Sequence, residues 1–134
     1  MVIDSKLLDE LTERAKASDR LRMNMDLRNS AEDGSQRMLN ALEPGTVMPI
    51  HRHLGSSETV VCIRGHFEEY LYGYTETLSD GTPDPDSFGL IETIDMYPGV
   101  PILNIEKRQW HSLKCLESGT ILFEAKDGAY APLT

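Results

Sequence analysis

From residue 45 to residue 126 the chain is a succession of short runs that alternate apolar and polar residues, each cut by a turn signal. The runs cover 47–53, 58–63, 67–74, 90–96, 100–105, 110–116 and 120–126. Leu-Gly-Ser-Ser, Arg-Gly, Pro-Gly, Glu-Lys-Arg-Gln and Ser-Gly breaks fall between most of them. Period-two alternation places one set of side chains on each face of a strand, so every run has one face to bury. Many short strands at a spacing of roughly 8–12 residues resolve that demand as a sandwich or a barrel. One stretch breaks the rhythm. Residues 75–89 hold three Asp, two Pro and two Gly, which predicts a long exposed loop.

Ahead of the β region, Ile3, Leu7, Leu8, Leu11 and Ala15 recur at helical spacing, with Asp9, Glu10, Glu13 and Arg14 opposite them. This predicts an amphipathic helix that starts on Asp4 or Ser5 as cap and ends near Ser18. Residues 20–27 read as a first strand through Leu21, Met23, Met25 and Leu27, while the type of 36–42 stays open between helix and strand. With 134 residues, the expectation is one domain over 1–134, with a helix in 1–19 and a barrel core in 45–126.

The chain carries 22 acidic against 13 basic side chains, a net charge of −9. Affinity for nucleic acids comes mainly from phosphate neutralisation by Lys and Arg, so nucleic-acid partners are not expected. No stretch approaches the ~18 apolar residues that span a bilayer, and the charged first 18 residues lack the apolar core of a secretory signal. A cytoplasmic protein without membrane contact is expected. Cys62 and Cys115 have no CxxC spacing and are expected as free thiols.

The chemistry-bearing residues cluster in one place. His51 and His53 stand one residue apart, so on a strand both imidazoles project from the same face. A turn at 54–57 then brings Glu58 alongside. Two nitrogens and a carboxylate converging in this way suit a divalent metal. A fourth ligand has to come from elsewhere, and His111 opens a strand roughly 50 residues later. Cys62 and Cys115 lie four residues from Glu58 and His111, about 13 Å along a strand, too far for the ~2.3 Å of a zinc–thiolate bond. They are expected to fill the core.

Gly45-x5-His51-x-His53-x4-Glu58-x6-Gly65 resembles the first motif of the cupin superfamily at every fixed position. The second cupin motif, Pro-x-Gly-x-x-His, survives only as its histidine, His111; Glu106 and Arg108 occupy the Pro and Gly slots, and Cys115 stands where an Asn sometimes follows. Arg108 puts that turn in question, because glycine tolerates a positive φ and arginine does not. Over most of the chain, segments starting at Arg22, Gln36, Trp110 and Phe123 are similar to the WbuC-type cupin-fold metalloproteins, typically encoded among bacterial surface-polysaccharide genes. The resemblance implies an all-β double-stranded β-helix, a jelly-roll barrel with a short N-terminal helix. It also implies one divalent transition metal per chain (Zn, Fe, Mn, Ni or Co) held by His51, His53, Glu58 and His111.

Around that centre, Arg22, Asn24 and Arg37 are candidate substrate-binding residues, set against a surface role. Arg52 and Trp110 should point away from the ligands on regular strands. Tyr70, Tyr72 and Tyr74 share a face, for packing or a homodimer contact, and Glu124 with Lys126 reads as an ion pair. No general base stands out beyond the four ligands. The expected function is metal-assisted isomerase- or epimerase-like chemistry on a small polar or carbohydrate-type molecule. The alternatives are a non-catalytic ligand- or metal-binding module, or an iron- or nickel-dependent dioxygenase.

Overall fold

In the computed structural model, which describes residues 1–132, helix α1 (Ser5–Ala17) precedes eight strands. These are β1 (Arg22–Asp26), β2 (Ser35–Leu42), β3 (Glu58–Arg64), β4 (Phe67–Tyr74), β5 (Phe88–Met96), β6 (Leu103–Ile105), β7 (Trp110–Cys115) and β8 (Thr120–Asp127). One sheet runs β1-β2-β8-β3-β6 and the other β5-β4-β7. Every pairing is antiparallel. The two sheets face each other as the expected jelly roll.

Asp4 caps α1 by accepting a hydrogen bond from the Leu7 amide at 3.1 Å, which satisfies one of the otherwise free first-turn donors. Leu8, Leu11 and Ala15 form the buried stripe. They pack on Leu39, Ala41 and Ile121, on the outer face of the larger sheet. The helix therefore covers the back of the barrel and takes no part in its interior.

The interior is divided along its length. At one end Leu42, Cys62, Phe67, Met96, Cys115 and Leu122 form an apolar plug across both sheets. Moving away from it, the inward positions turn polar. The cross-strand rows read Asn40–Leu122–Cys62, then Met38–Glu124–Val60, then Gln36–Lys126–Glu58. On the facing sheet they read Phe67–Cys115, Glu69–Leu113, then Leu71–His111. Strand alternation alone thus delivers three carboxylates, a lysine and a histidine to one end of a barrel whose other end is hydrocarbon.

The structure departs from the sequence reading at several places. Residues 47–53 form no strand; only His51 joins a single bridge to His111. Residues 36–42 belong to β2. The loop after Tyr74 is exposed as expected but closes on itself through a Thr77–Pro83 bridge and a turn at Pro85–Ser87. Strand β6 begins only at Leu103, because residues 97–102, the Tyr-Pro-Gly-Val-Pro-Ile stretch, lie outside the sheets.

Candidate metal centre

The segment carrying His51 and His53 is held from two sides. His51 and His111 exchange backbone hydrogen bonds, at 3.0 Å and 2.8 Å. The Arg108 amide donates to the His53 carbonyl at 2.8 Å. From the other side, Arg22 Nη1 donates to the Val47 carbonyl at 2.7 Å. The histidines are therefore fixed by tethers to β7 and β1 rather than by membership of a strand.

Arg108 adopts φ 71°, the left-handed conformation that a glycine in its motif slot would supply without strain. The turn survives the substitution. A left-handed non-glycine residue costs about 1–2 kcal/mol, partly offset by the greater unfolded-state entropy of glycine. Arg108→Gly is therefore expected to stabilise the protein by about 0.5–1 kcal/mol in a denaturant titration. A loss of stability would mean that the Arg108 side chain itself matters.

Three imidazoles converge. Ring centroids of His51 and His111 lie 4.2 Å apart, and those of His53 lie 5.1 Å and 5.6 Å from them. One ring nitrogen from each lies within 4.8 Å of the others, against roughly 3.3 Å between neighbouring ligands of a tetrahedral metal bound at ~2.0–2.1 Å. His51 Nδ1 bonds the Pro49 carbonyl and His111 Nδ1 bonds the Gln109 carbonyl, both at 2.9 Å. A carbonyl only accepts, so each Nδ1 carries the proton when the ring is neutral and each Nε2 presents a lone pair.

Glu58, 5% exposed, stands at the edge of this trio. Its Oε2 is 3.3 Å from His53 Nε2, its Oε1 is 3.5 Å from His111 Nε2, and Lys126 Nζ is 3.8 Å from Oε2. Burial opposes its ionisation, but His111, His53 and Lys126 outweigh burial and hold the carboxyl well below the usual carboxylate range. Burial lowers the affinity of His51 for a proton; His111 is pulled the other way by Glu58, which overcomes its burial. His53 Nε2, His111 Nε2 and Glu58 Oε2 are buried without a hydrogen-bond partner among the described residues. Lone pairs facing a carboxylate at these distances need a positive charge between them, either protons or a metal cation. The donor set of three imidazole nitrogens and one carboxylate fits a divalent transition metal.

The imidazoles line a cavity of about 290 Å³. Glu69 and Glu124 also line it, as do Lys126, Gln36, Arg22 and Asn24. Arg37 does not. It sits at an odd position of β2, and odd positions face outwards; its guanidinium binds the Ser35 and Leu27 carbonyls and Asp33. Arg52 turns away as expected and stacks on Trp110 at 4.6 Å. Trp110 packs against Phe88, which also meets Tyr72 and Tyr74, so the tyrosines contribute to an aromatic layer on the outer face of the smaller sheet. Cys62 and Cys115 are buried and free, part of the apolar plug.

Sequence reasoning missed Glu69, and read Glu124 as an ion-pair partner rather than a cavity residue. Glu69 was visible in principle: Phe67 and Leu71 mark the inward register of β4, and Glu69 lies between them. Glu124 and Lys126 form the expected ion pair, at 4.0 Å, and both also line the cavity.

Residues 3–81, more than half of the chain, match the family described as "Domain of unknown function (DUF6016)". The chain belongs to that family. No curated protein matches it. Among solved structures it is similar to KdgF from Halomonas sp. (14% identity, TM-score 0.60, covering 81% of this chain and 82% of that one). It is also similar to L-ribose isomerase from Cellulomonas parahominis (13%, TM-score 0.63, 98% and 87%). A third likeness is to the Cnp3 cupin domain of Schizosaccharomyces pombe (10%, TM-score 0.55, 81% and 65%). At these identities the likeness establishes fold: this DUF6016 chain has a jelly-roll fold of the cupin type. No helix among its described residues is long and apolar enough to cross a membrane.

Proposed function

We propose that this chain is a mononuclear metal-binding cupin that acts on a small polar or carbohydrate-type molecule by isomerase- or epimerase-like chemistry. The observation that carries the reading is the convergence of three imidazoles on a buried carboxylate, with buried Nε2 and Oε2 atoms lacking hydrogen-bond partners among the described residues. His51, His53, Glu58 and His111 would hold the ion, and a divalent ion there supplies Lewis acidity that polarises a substrate carbonyl. Arg22 keeps the histidine-bearing segment in place, and Asn24 lies on the cavity wall. The similarity of fold to an L-ribose isomerase supports the reaction class. The likeness of several segments to WbuC-type proteins supports a role in bacterial surface-polysaccharide metabolism.

Elemental analysis of purified protein is expected to give close to one divalent transition metal per chain. Removing it with a chelator should lower unfolding stability by about 2.7 kcal/mol relative to protein at a metal concentration of ~100 Kd. An intact barrel that takes up no metal overturns the reading. For the reaction, metal-loaded protein incubated with aldopentoses in D₂O is expected to exchange the hydrogen beside the carbonyl, and chelation to stop the exchange. Iron or nickel in the site, together with O₂ uptake, would instead favour the dioxygenase reading.

A further inference from the structure

Glu69 is the most unusual side chain in the barrel that the metal site does not use. It is 2% exposed, and its Oε2 is fully buried with no hydrogen-bond partner among the described residues. Its backbone pairs with Leu113 while Leu71, two residues on, pairs with His111. Glu69 is therefore the diagonal neighbour of His111, a relation that places Cβ atoms about 7–8 Å apart. Its side chain lines the same cavity as the three imidazoles.

A buried carboxyl without partners is costly unless it holds its proton or meets a ligand. The charged groups around this cavity are Glu58 from β3, Glu124 and Lys126 from β8, Arg22 from β1 with Arg20 just ahead of it, and the imidazoles of His51, His53 and His111. Lys126 stands 3.8 Å from Glu58 and 4.0 Å from Glu124; no ion pair reaches Glu69 among the described residues. Lys126 is shared between Glu58 and Glu124, and Arg22 donates to the Val47 carbonyl, so neither cation neutralises Glu69. Burial, then Glu58 and Glu124, accordingly hold the Glu69 carboxyl well above the usual range. Glu124 is raised in the same way, by burial first.

We propose that Glu69 serves as a neutral acid whose O–H donates to a ligand oxygen in this cavity, and that the ligand is a small carboxylate. The inference rests on the metal reading above. An acid O–H, an ammonium whose carboxylate neighbours stand beyond hydrogen-bond length, and a cation seat all present positive charge to one cavity. An oxygen bearing negative charge satisfies all three.

The test is calorimetric titration of zinc-loaded protein with glycolate as probe, from about pH 6 to about pH 9, with metal content measured in every sample. Wild type is expected to bind glycolate and to weaken as pH rises, because the donor is lost and a negative charge is left facing the ligand. Glu69→Gln keeps a donor and should bind within about threefold of wild type at the low end of the range, with little of the pH dependence. Glu69→Leu should weaken binding about tenfold or more. The proposal is overturned if wild type gives no glycolate binding, if Glu69→Leu binds as wild type does, or if wild type and Glu69→Gln share one pH profile. The remaining groups named above are present in both proteins, so a pH dependence seen only in wild type requires the Glu69 carboxyl. A wild type that takes up no zinc defeats the metal reading separately, and the same comparison is then made on metal-free protein.

Discussion

Replacing His111 by alanine is expected to abolish stoichiometric metal binding. The ring is 3% exposed, and its Nδ1 is tied to the Gln109 carbonyl, so Nε2 is aimed into the site by a fixed tautomer. It is the only member of the imidazole trio supplied by the smaller sheet; the other two come from the segment ahead of β3. Loss of a partner that merely orients a ligand costs ~10–100-fold in metal affinity, and loss of a ligand should exceed that. The backbone bridge between residues 51 and 111 does not depend on the side chain, so the barrel should remain folded. Elemental analysis of the variant is expected to fall from near one metal per chain to near zero. His66→Ala is the control: that ring bonds Asp95 at 2.8 Å and stacks on Tyr97, away from the cavity, and should leave metal content unchanged. Full occupancy in the His111 variant would remove the remnant of the second motif from the site.

What could be read in the sequence followed from period two. The alternation in β4, β7 and β8 placed most strands within a residue or two. The motif around His51, His53 and Glu58 named the side chains that the structure brings together with His111. The part that failed is instructive. Residues 47–53 alternate like a strand, yet only His51 pairs, with His111 on the free edge of β7; alternation reports a buried face but not a partner. Arg37 shows the complementary limit. Its likeness to a known segment suggested the site, but its parity on β2 points it outwards, to the loop carbonyls it binds. Glu69 escaped notice because a carboxylate in an inward register looks like an error of phase until the opposite wall is seen to be polar. Only the barrel brings Glu58, Glu69 and Glu124 together, since they lie on three strands split between two sheets, and β8 is far from β3 and β4 in sequence.

The largest effect on folding is expected at the motif's second glycine, far from the metal. Gly65 turns the chain between β3 and β4 with φ 80°. A Cβ there would meet the Thr120 hydroxyl and stand 2.8 Å from the Thr120 Cα. Thr120 is fully buried and cannot move freely. Its Oγ1 accepts from the His66 amide at 3.2 Å and donates to the Glu117 carbonyl at 2.6 Å. Gly65→Ala therefore adds a left-handed alanine at about 1–2 kcal/mol and an overpacked contact at about 1–3 kcal/mol. It also threatens a buried hydrogen-bond pair. The lower unfolded-state entropy of alanine returns about 0.4–1 kcal/mol, leaving a net loss of about 3 kcal/mol, a large share of a typical domain stability of ~5–15 kcal/mol. Denaturant titration should show this loss, while Gly55→Ala, where no atom lies within 4 Å of the added methyl, should stay within ~0.5 kcal/mol of wild type. Because Gly65 lies beside Thr120, Cys62 and Phe67 at the apolar end of the barrel, the molecules that do fold should still take up metal. A variant that keeps its stability but loses its metal would show that the two ends of the barrel are coupled, contrary to the division of the interior into a hydrocarbon plug and a polar site.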